Sequence, residues 1–359
     1  MYKDGFILEA VLLWFCCVGV VACGFGLYAW LHRRLRGWHP LLESEPIPLH
    51  VKVLRADDPD AGEVRALAVA ADGSLVSGAW DATLRVWRNG ACVRTLSGGY
   101  MGDVNAVAAF GASRLLSGSD DGSARLWTAD GTLERAYEMG SSSAPSPVLS
   151  VAGLPDGAHL VVGGDQGGVR LFHVDGTLVH KRPKAHAAQV FALTATPDGA
   201  HVVSGSFDQR IKVWSVASRG LVGSCDGHTA AVWAVAALAD GERLLSGSAD
   251  KTVRVWRLAG DGSAVLTISS LHTADVTALA PLPDGRHALS ASFDKTVALF
   301  RIVDGAGLRR FTHHTGSVYA LALLPAVGPD GSLRFASGGD DRTVRIVENG
   351  LVIDPADEL

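Results

Sequence analysis

The sequence predicts an all-β fold made of seven repeated units, preceded by one transmembrane α-helix. The chain contains seven repeats, and in each a strand-like segment ends at a bulky or apolar residue. Successive end residues lie 40 to 47 positions apart, at Trp87, Trp127, Phe172, Trp214, Trp256, Phe300 and Val347. That interval is the length of one four-stranded unit of a closed β-repeat protein. Six residues earlier an aspartate recurs in every repeat but the third, which has Gln166, at Asp81, Asp121, Asp208, Asp250, Asp294 and Asp341. Recurrence at a fixed offset indicates a repeat protein.

Within each repeat the pattern is that of short strands joined by tight turns. In the fifth repeat Val253 and Val255 alternate with Arg254, which is typical of a strand buried on one face. Asp-Gly or Asn-Gly pairs separate most of the other strands, where glycine supplies the positive φ of tight hairpin turns. A valine begins the first strand of each repeat, at Val64, Val104, Val148, Val190, Val232, Val276 and Val318.

These residues make the chain resemble the WD-repeat family of β-propellers, over about residues 50 to 350. The resemblance implies a seven-bladed propeller with four antiparallel strands, a to d, in each blade. It also implies a buried network of histidine, serine, aspartate and tryptophan within a blade. Two repeats carry the whole set, as His186, Ser204, Asp208 and Trp214, and as His228, Ser246, Asp250 and Trp256. The sixth and seventh repeats lack the tryptophan, and the third lacks every member.

The N-terminal region predicts a membrane anchor. Residues 10–31 contain no charged side chain, and a helix of this length spans the hydrocarbon core of a bilayer. Arg33, Arg34 and Arg36 follow directly, which places the propeller on the cytosolic side of a membrane whose identity stays open. A buried helix and a cleaved signal peptide are the alternatives. The predicted organisation is a short tail (1–9), a transmembrane helix (10–31), a basic, proline-containing linker (32–48) and a propeller (49–359).

Two segments compete to complete the last blade. Residues 51–54 alternate like a strand and precede the first repeat, whereas residues 351–353 follow an Asn-Gly turn and end at Asp354-Pro355. Proline supplies no N–H donor, so a strand that begins at residue 351 would end before Pro355. The C-terminal candidate is therefore the shorter of the two. We therefore predict that residues 51–54 close the ring.

Composition and motifs exclude several classes of protein. A net charge of −5 and the lack of a basic run in the repeats argue against nucleic-acid binding. The five cysteines contain no C-x-x-C pair, which indicates neither a disulfide framework nor a zinc site. The sequence has no nucleophile elbow, phosphate-binding glycine loop or H-E-x-x-H motif. We expect no cofactor, no metal, no small-molecule substrate and no enzymatic activity.

The resemblance also implies a surface for partner proteins, on the face where the d–a and b–c loops open. Aromatic residues follow the strand-a valine in several repeats, and others precede the turn aspartate. Acidic residues are concentrated at the related positions of the first three repeats. The predicted partner-binding residues are Trp80, Phe191, Phe207, Trp233, Phe293, Tyr319, Glu63, Asp103 and Asp120. The competing interpretation is that these rings only pack between blades.

The function that the sequence favours is a membrane-tethered, non-catalytic scaffold that binds proteins through its propeller face. One alternative is a propeller-fold enzyme, which requires acids or histidines that converge at the mouth of the channel. Another is a nucleotide-exchange or vesicle-trafficking factor of the endomembrane system. The W-D-x-R motif of ubiquitin-ligase substrate receptors is absent from the sequence.

Overall fold

The computed structural model describes residues 50–55, 61–96, 99, 102–140, 146–259, 262–325 and 333–348. These residues contain 28 β-strands, arranged in seven four-stranded antiparallel sheets. The described part of the chain has no helix long and apolar enough to cross a membrane. The predicted tail, transmembrane helix and linker lie outside the described residues.

The seven sheets are the blades of a propeller, and in each blade strand a lines the central channel. Blade one contains β2 (Val64–Val69), β3 (Leu75–Ala79), β4 (Leu84–Arg88) and β5 (Ala91–Leu96). Blade two contains β6 (Val104–Phe110), β7 (Arg114–Ser119), β8 (Ser123–Thr128) and β9 (Leu133–Glu138). Blade three contains β10 (Val148–Gly153), β11 (His159–Gly164), β12 (Val169–His173) and β13 (Leu178–Arg182). Blade four contains β14 (Val190–Ala195), β15 (His201–Ser206), β16 (Ile211–Ser215) and β17 (Leu221–Cys225). Blade five contains β18 (Val232–Ala237), β19 (Arg243–Ser248), β20 (Val253–Arg257) and β21 (Ala264–Ile268). Blade six contains β22 (Val276–Pro281), β23 (His287–Ser292), β24 (Val297–Arg301) and β25 (Gly307–Phe311). Blade seven contains β26 (Val318–Leu324), β27 (Arg334–Gly339), β28 (Val344–Glu348) and, as its outer strand, β1 (His50–Leu54).

The ring closes through the N-terminal strand. Strand β1 pairs antiparallel with β28, from His50 opposite Glu348 to Leu54 opposite Val344. The prediction that residues 51–54 form this strand is confirmed, and the competing residues 351–353 lie outside the described part of the chain. The first strand of the propeller is therefore held by the last, so both ends of the repeat region belong to one sheet.

At six of the seven junctions the strand-a valine of one blade inserts against a glycine of the preceding blade, and in blade six this position is Ala291. Val276 is completely buried, and a Cβ added at Gly247 would lie only 2.7 Å from its Cγ1 atom. The same close approach joins Gly78 to Val104, at 2.7 Å. The glycine therefore provides the room in which strand a of the next blade reaches the channel wall.

A β-bulge interrupts strand a of every blade at the same position. The register shifts between the strand-a valine and the residue two positions later, for example between Val232 and Ala234. A bulge re-aims the side chain of its extra residue. We call the seven bulged residues the channel collar: Arg65, Asn105, Leu149, Phe191, Trp233, Thr277 and Tyr319. Four of them line the central cavity of about 200 Å³, together with apolar residues from strand a of all seven blades.

Candidate protein-interaction face

The polar networks form within the blades, as their fixed spacing indicates. In blade four the Ser204 hydroxyl accepts the indole N–H of Trp214 at 2.8 Å and lies 2.8 Å from Nε2 of His186. Nδ1 of the same histidine lies 2.9 Å from a carboxylate oxygen of Asp208. In blade five the corresponding three distances are each 2.7 Å, and they join His228, Ser246, Asp250 and Trp256. Both nitrogens of each imidazole are engaged, and the histidines are buried.

The network aspartates are held in the charged form. Burial alone would raise the pKa of Asp250, but hydrogen bonds from His228, Thr252 and the Thr229 N–H outweigh it and hold the pKa well below the usual range. Asp208 has a lowered pKa for the same balance of reasons. A carboxylate held in this way stays ionised and keeps its hydrogen bonds to the turn and the histidine.

Blades one and two lack the network histidine, and their aspartate pairs with an arginine four residues later, an arginine that blade seven has in addition to its histidine. Arg85 is buried and lies 2.7 Å from Asp81, and Arg125 lies 2.9 Å from Asp121. The Gly62 N–H also donates to the Asp81 carboxylate, at 2.9 Å. The same Asp-x-x-x-Arg spacing occurs in the fifth and seventh repeats, which keep their histidine, so the sequence signal of blades one and two is this arginine together with the missing histidine.

Blade seven shows a second substitution. Its network ends in Val347, which cannot donate a hydrogen bond to the Ser337 hydroxyl. His314 lies 2.7 Å from that hydroxyl through Nε2, and Nε2 of His313 lies 3.1 Å from the same oxygen. His313 therefore stands in for the missing indole. Burial, followed by the neighbouring His314, lowers the pKa of His313 to about 3.

The predicted aromatic residues come together at the mouth of the channel. We define the aromatic arc as Phe207, Phe191, Trp233, Phe293, Tyr319 and Trp80. Ring centroids of successive members from Phe207 to Tyr319 lie 6.3, 4.4, 6.3 and 5.4 Å apart. All of them project from the face that carries the d–a and b–c connections, which we call the upper face. The ring-to-ring contacts from Phe207 to Tyr319 thus run across blades four to seven, and Trp80 continues the arc in blade one.

An arginine of the collar joins the last two rings of the arc. The guanidinium of Arg65 lies 4.0 Å from the ring centroid of Tyr319 and 4.0 Å from that of Trp80. This stack connects blade seven to blade one across the ring closure. The sequence places Arg65 at a collar position, but its role between two rings depends on the closed ring and was not predicted.

The two ends of the arc are the parts most open to solvent. Phe207 is 52% exposed and Trp80 is 41% exposed, whereas the rings between them are half-buried. The middle rings therefore do pack between blades, as the competing interpretation expects, while the two end rings remain open. Exposed aromatic side chains at the edge of a rigid surface are typical of protein contact sites.

Acidic residues continue the surface beyond Trp80. The indole N–H of Trp80 donates to Oδ1 of Asn105 at 3.3 Å, and Nδ2 of Asn105 donates to Asp120 at 2.6 Å. Nδ2 of Asn105 also lies 3.2 Å from the Val148 carbonyl oxygen, so the amide is fixed in orientation. Burial and repulsion from Asp120 raise the pKa of Asp103. We call Trp80, Asn105, Asp103 and Asp120 the acidic notch.

Glu63, the third predicted acid, lies where blades seven and one meet. Burial and the neighbouring Asp340 raise its pKa, although Arg65 lies 3.9 Å away and opposes the shift. Asp340 and Asp275 were not among the predicted site residues, yet both lie on the upper face. Asp275 accepts the indole N–H of Trp233 at 3.1 Å.

Among the described residues, no group of three or more histidine, cysteine or acidic side chains is arranged to hold a metal ion. The upper face combines a fixed collar, stacked rings and carboxylates, a composition suited to contacts with another macromolecule. These features define a seven-bladed propeller whose upper face carries the stacked rings of the aromatic arc and the carboxylates of the acidic notch.

The comparison with protein families agrees with this class. The model of the WD domain, G-beta repeat (WD40) matches residues 50–88, 90–128, 176–215, 219–257, 263–301 and 305–348, which is more than half of the chain. The chain therefore belongs to the WD40 family. The gap from residue 129 to residue 175 contains strands a to c of blade three, the blade without network residues. A comparison with curated proteins gave no match.

Proposed function

We propose that this protein is a membrane-tethered, non-catalytic interaction scaffold that binds partner proteins through the upper face of its propeller. Members of its family typically act as protein-interaction scaffolds. The single observation that carries the proposal is the aromatic arc, with its open ends at Phe207 and Trp80. Aromatic anchors of this kind dominate the free energy of protein association when a partner removes them from water.

The state of the repeated polar residues supports a non-catalytic role. The histidines, serines and aspartates of blades four to seven satisfy one another inside the blades, where a substrate cannot reach them. The carboxylates at the channel mouth have no imidazole among the described residues within hydrogen-bond distance. A carboxylate–imidazole pair, one common arrangement for general acid–base catalysis, is therefore missing from the described part of the channel mouth.

The uncharged stretch at residues 10–31 and the arginines after it support a single-pass anchor with the propeller in the cytosol. Protease treatment of sealed vesicles with the cytosolic side outward tests this arrangement. The propeller or its linker should be digested without detergent. A propeller that stays protected until detergent is added would contradict it.

Site-specific photo-crosslinking tests the binding face. A photoreactive phenylalanine analogue at Phe207 should crosslink partner proteins in cells. The matched control is the same analogue at Val303, which is 76% exposed in the c–d turn of blade six, at the opposite end of the blades. Equal crosslinking at both positions, or crosslinking only at Val303, would remove the upper face from the proposal.

A further inference from the structure

The charge and the aromatic groups of the upper face together define the chemistry of the partner. We propose that the acidic notch and the aromatic arc bind a partner segment that carries an arginine or lysine beside an aliphatic or aromatic residue. The inference rests on the proposed scaffold function and specifies what kind of protein segment the scaffold takes.

The first argument is charge complementarity. Five aspartates of the upper face form no salt bridge within the described part of the chain: Asp103, Asp120, Asp165, Asp275 and Asp340. Arg65, the cation of the collar, lies 3.9 Å from Glu63 and between two rings. The b–c turns of blades five to seven carry exposed cations, Lys251, Lys295 and Arg342, whereas the corresponding turns of blades two and three, at Asp120 and Asp165, carry none. The negative potential of the upper face is therefore concentrated on the side of blades two and three. A basic partner would neutralise it.

The second argument is the geometry of the notch. Asn105 is fixed by three hydrogen bonds, one of them to Oδ1 of Asp120, which leaves that carboxylate with acceptor capacity. The Asp120 N–H donates to the Asp103 carbonyl oxygen at 2.9 Å, which holds the two residues side by side, and repulsion from Asp120 contributes to the raised pKa of Asp103. A guanidinium or ammonium group placed between them would relieve this repulsion and gain charge-assisted hydrogen bonds.

The third argument is that a guanidinium already stacks on these rings. Arg65 lies against Trp80 and Tyr319 at 4.0 Å, and 41% of Trp80 remains exposed. The exposed part of the indole can take the stem of a second cationic side chain that reaches the notch. An apolar residue next to that cation in the segment can pack on the rings nearest the notch, Trp80 and Tyr319, because consecutive Cα atoms are only about 3.8 Å apart. Phe207 lies four ring-to-ring contacts beyond Tyr319, so it would take an apolar residue further along the same segment.

Selection of random displayed peptides on the full-length protein tests the inference directly. The bound peptides should share a basic residue beside an apolar one. In fluorescence polarisation at low salt, the double variant Asp103→Asn and Asp120→Asn should weaken their binding by about tenfold, because two partly exposed charge contacts are lost. Both changes preserve shape, so melting should stay unchanged.

The matched control is Asp165→Asn, at the position in blade three that corresponds to Asp120. It removes the same charge from the same face, and it should change binding by less than twofold. An equal loss in the control would mean that only diffuse charge attracts the peptides, which overturns the notch. Selected peptides without basic residues would also overturn it.

The result can be separated from the fate of the scaffold proposal. If the peptides lose affinity with Phe207→Ala but not with the double variant, the basic-partner inference fails while the binding face stands. If neither change matters and crosslinking at Phe207 finds no partner, both fail.

Discussion

Removal of the Asp250 carboxylate is the sharpest test of the blade networks. Its Oδ2 lies 2.7 Å from Nδ1 of His228 and accepts the Thr229 N–H at 3.1 Å. Its Oδ1 accepts the Thr252 N–H at 3.0 Å and the Thr252 hydroxyl at 2.6 Å. Four donors therefore depend on one side chain. The turn also holds Lys251 at a φ of 68°, a left-handed conformation that non-glycine residues adopt at a cost.

Asp250→Ala removes the acceptor of these four donors, and the alanine side chain offers no other acceptor. Leaving a buried donor unsatisfied costs about 1–3 kcal/mol. The two Thr252 donors and the Thr229 N–H lie near enough to the surface for water to replace part of the loss. The His228 contact is buried and cannot be replaced in this way, so we expect a loss of about 3 kcal/mol in the free energy of unfolding.

Urea unfolding followed by tryptophan fluorescence measures the effect. The matched control is Gln166→Ala, at the corresponding turn position of blade three, where the side chain is exposed. This control should change the free energy of unfolding by less than about 0.5 kcal/mol. Equal losses in the two variants would refute the argument that the aspartate network stabilises the blade.

Two further predictions concern the substituted networks. Because the pKa of His313 is lowered to about 3 while the unfolded chain has an ordinary value near 6.5, only the unfolded state binds this proton between those pH values. The wild-type stability should therefore fall by about 2 kcal/mol more than that of His313→Gln between pH 7 and pH 5, as measured by urea unfolding at both values. Arg85→Ala should lower the free energy of unfolding by about 3 kcal/mol in the same assay, because it leaves the partly buried Asp81 without its cation. The control Arg88→Ala removes an exposed pair with Asp72 and should lower it by less than about 1 kcal/mol. Similar losses for the two arginine variants would contradict the role assigned to Arg85.

The repeat period and turn residues were sufficient to predict the blade architecture. Each blade is a local unit with recurring turn chemistry, so its strands follow from patterns within about 45 residues. The closing strand could also be predicted, because residues 51–54 alternate while the C-terminal candidate ends at a proline. The network partners in blades four and five followed from fixed offsets within a repeat.

The contacts between blades could not be obtained in this way. Arg65 lies between Trp80 and Tyr319, and the last of these is near the opposite end of the chain. The Trp233–Asp275 hydrogen bond likewise joins two different repeats. Such pairs depend on how adjacent blades are rotated and on the bulge in each strand a. The rotation between blades and the position of the bulge cannot be obtained from the alternation of residues along a strand, which shows only the two faces of that strand.

The affinity of a partner captured by crosslinking at Phe207 most directly tests the claim that the upper face is the binding surface. The full-length protein should be compared with Phe207→Ala and with Val303→Ala, and thermal melting should be recorded for each. The account predicts that Phe207→Ala weakens binding by about 2 kcal/mol with an unchanged melting temperature, and that Val303→Ala alters neither. Unchanged affinity for Phe207→Ala, or an equal loss in both variants, would contradict it.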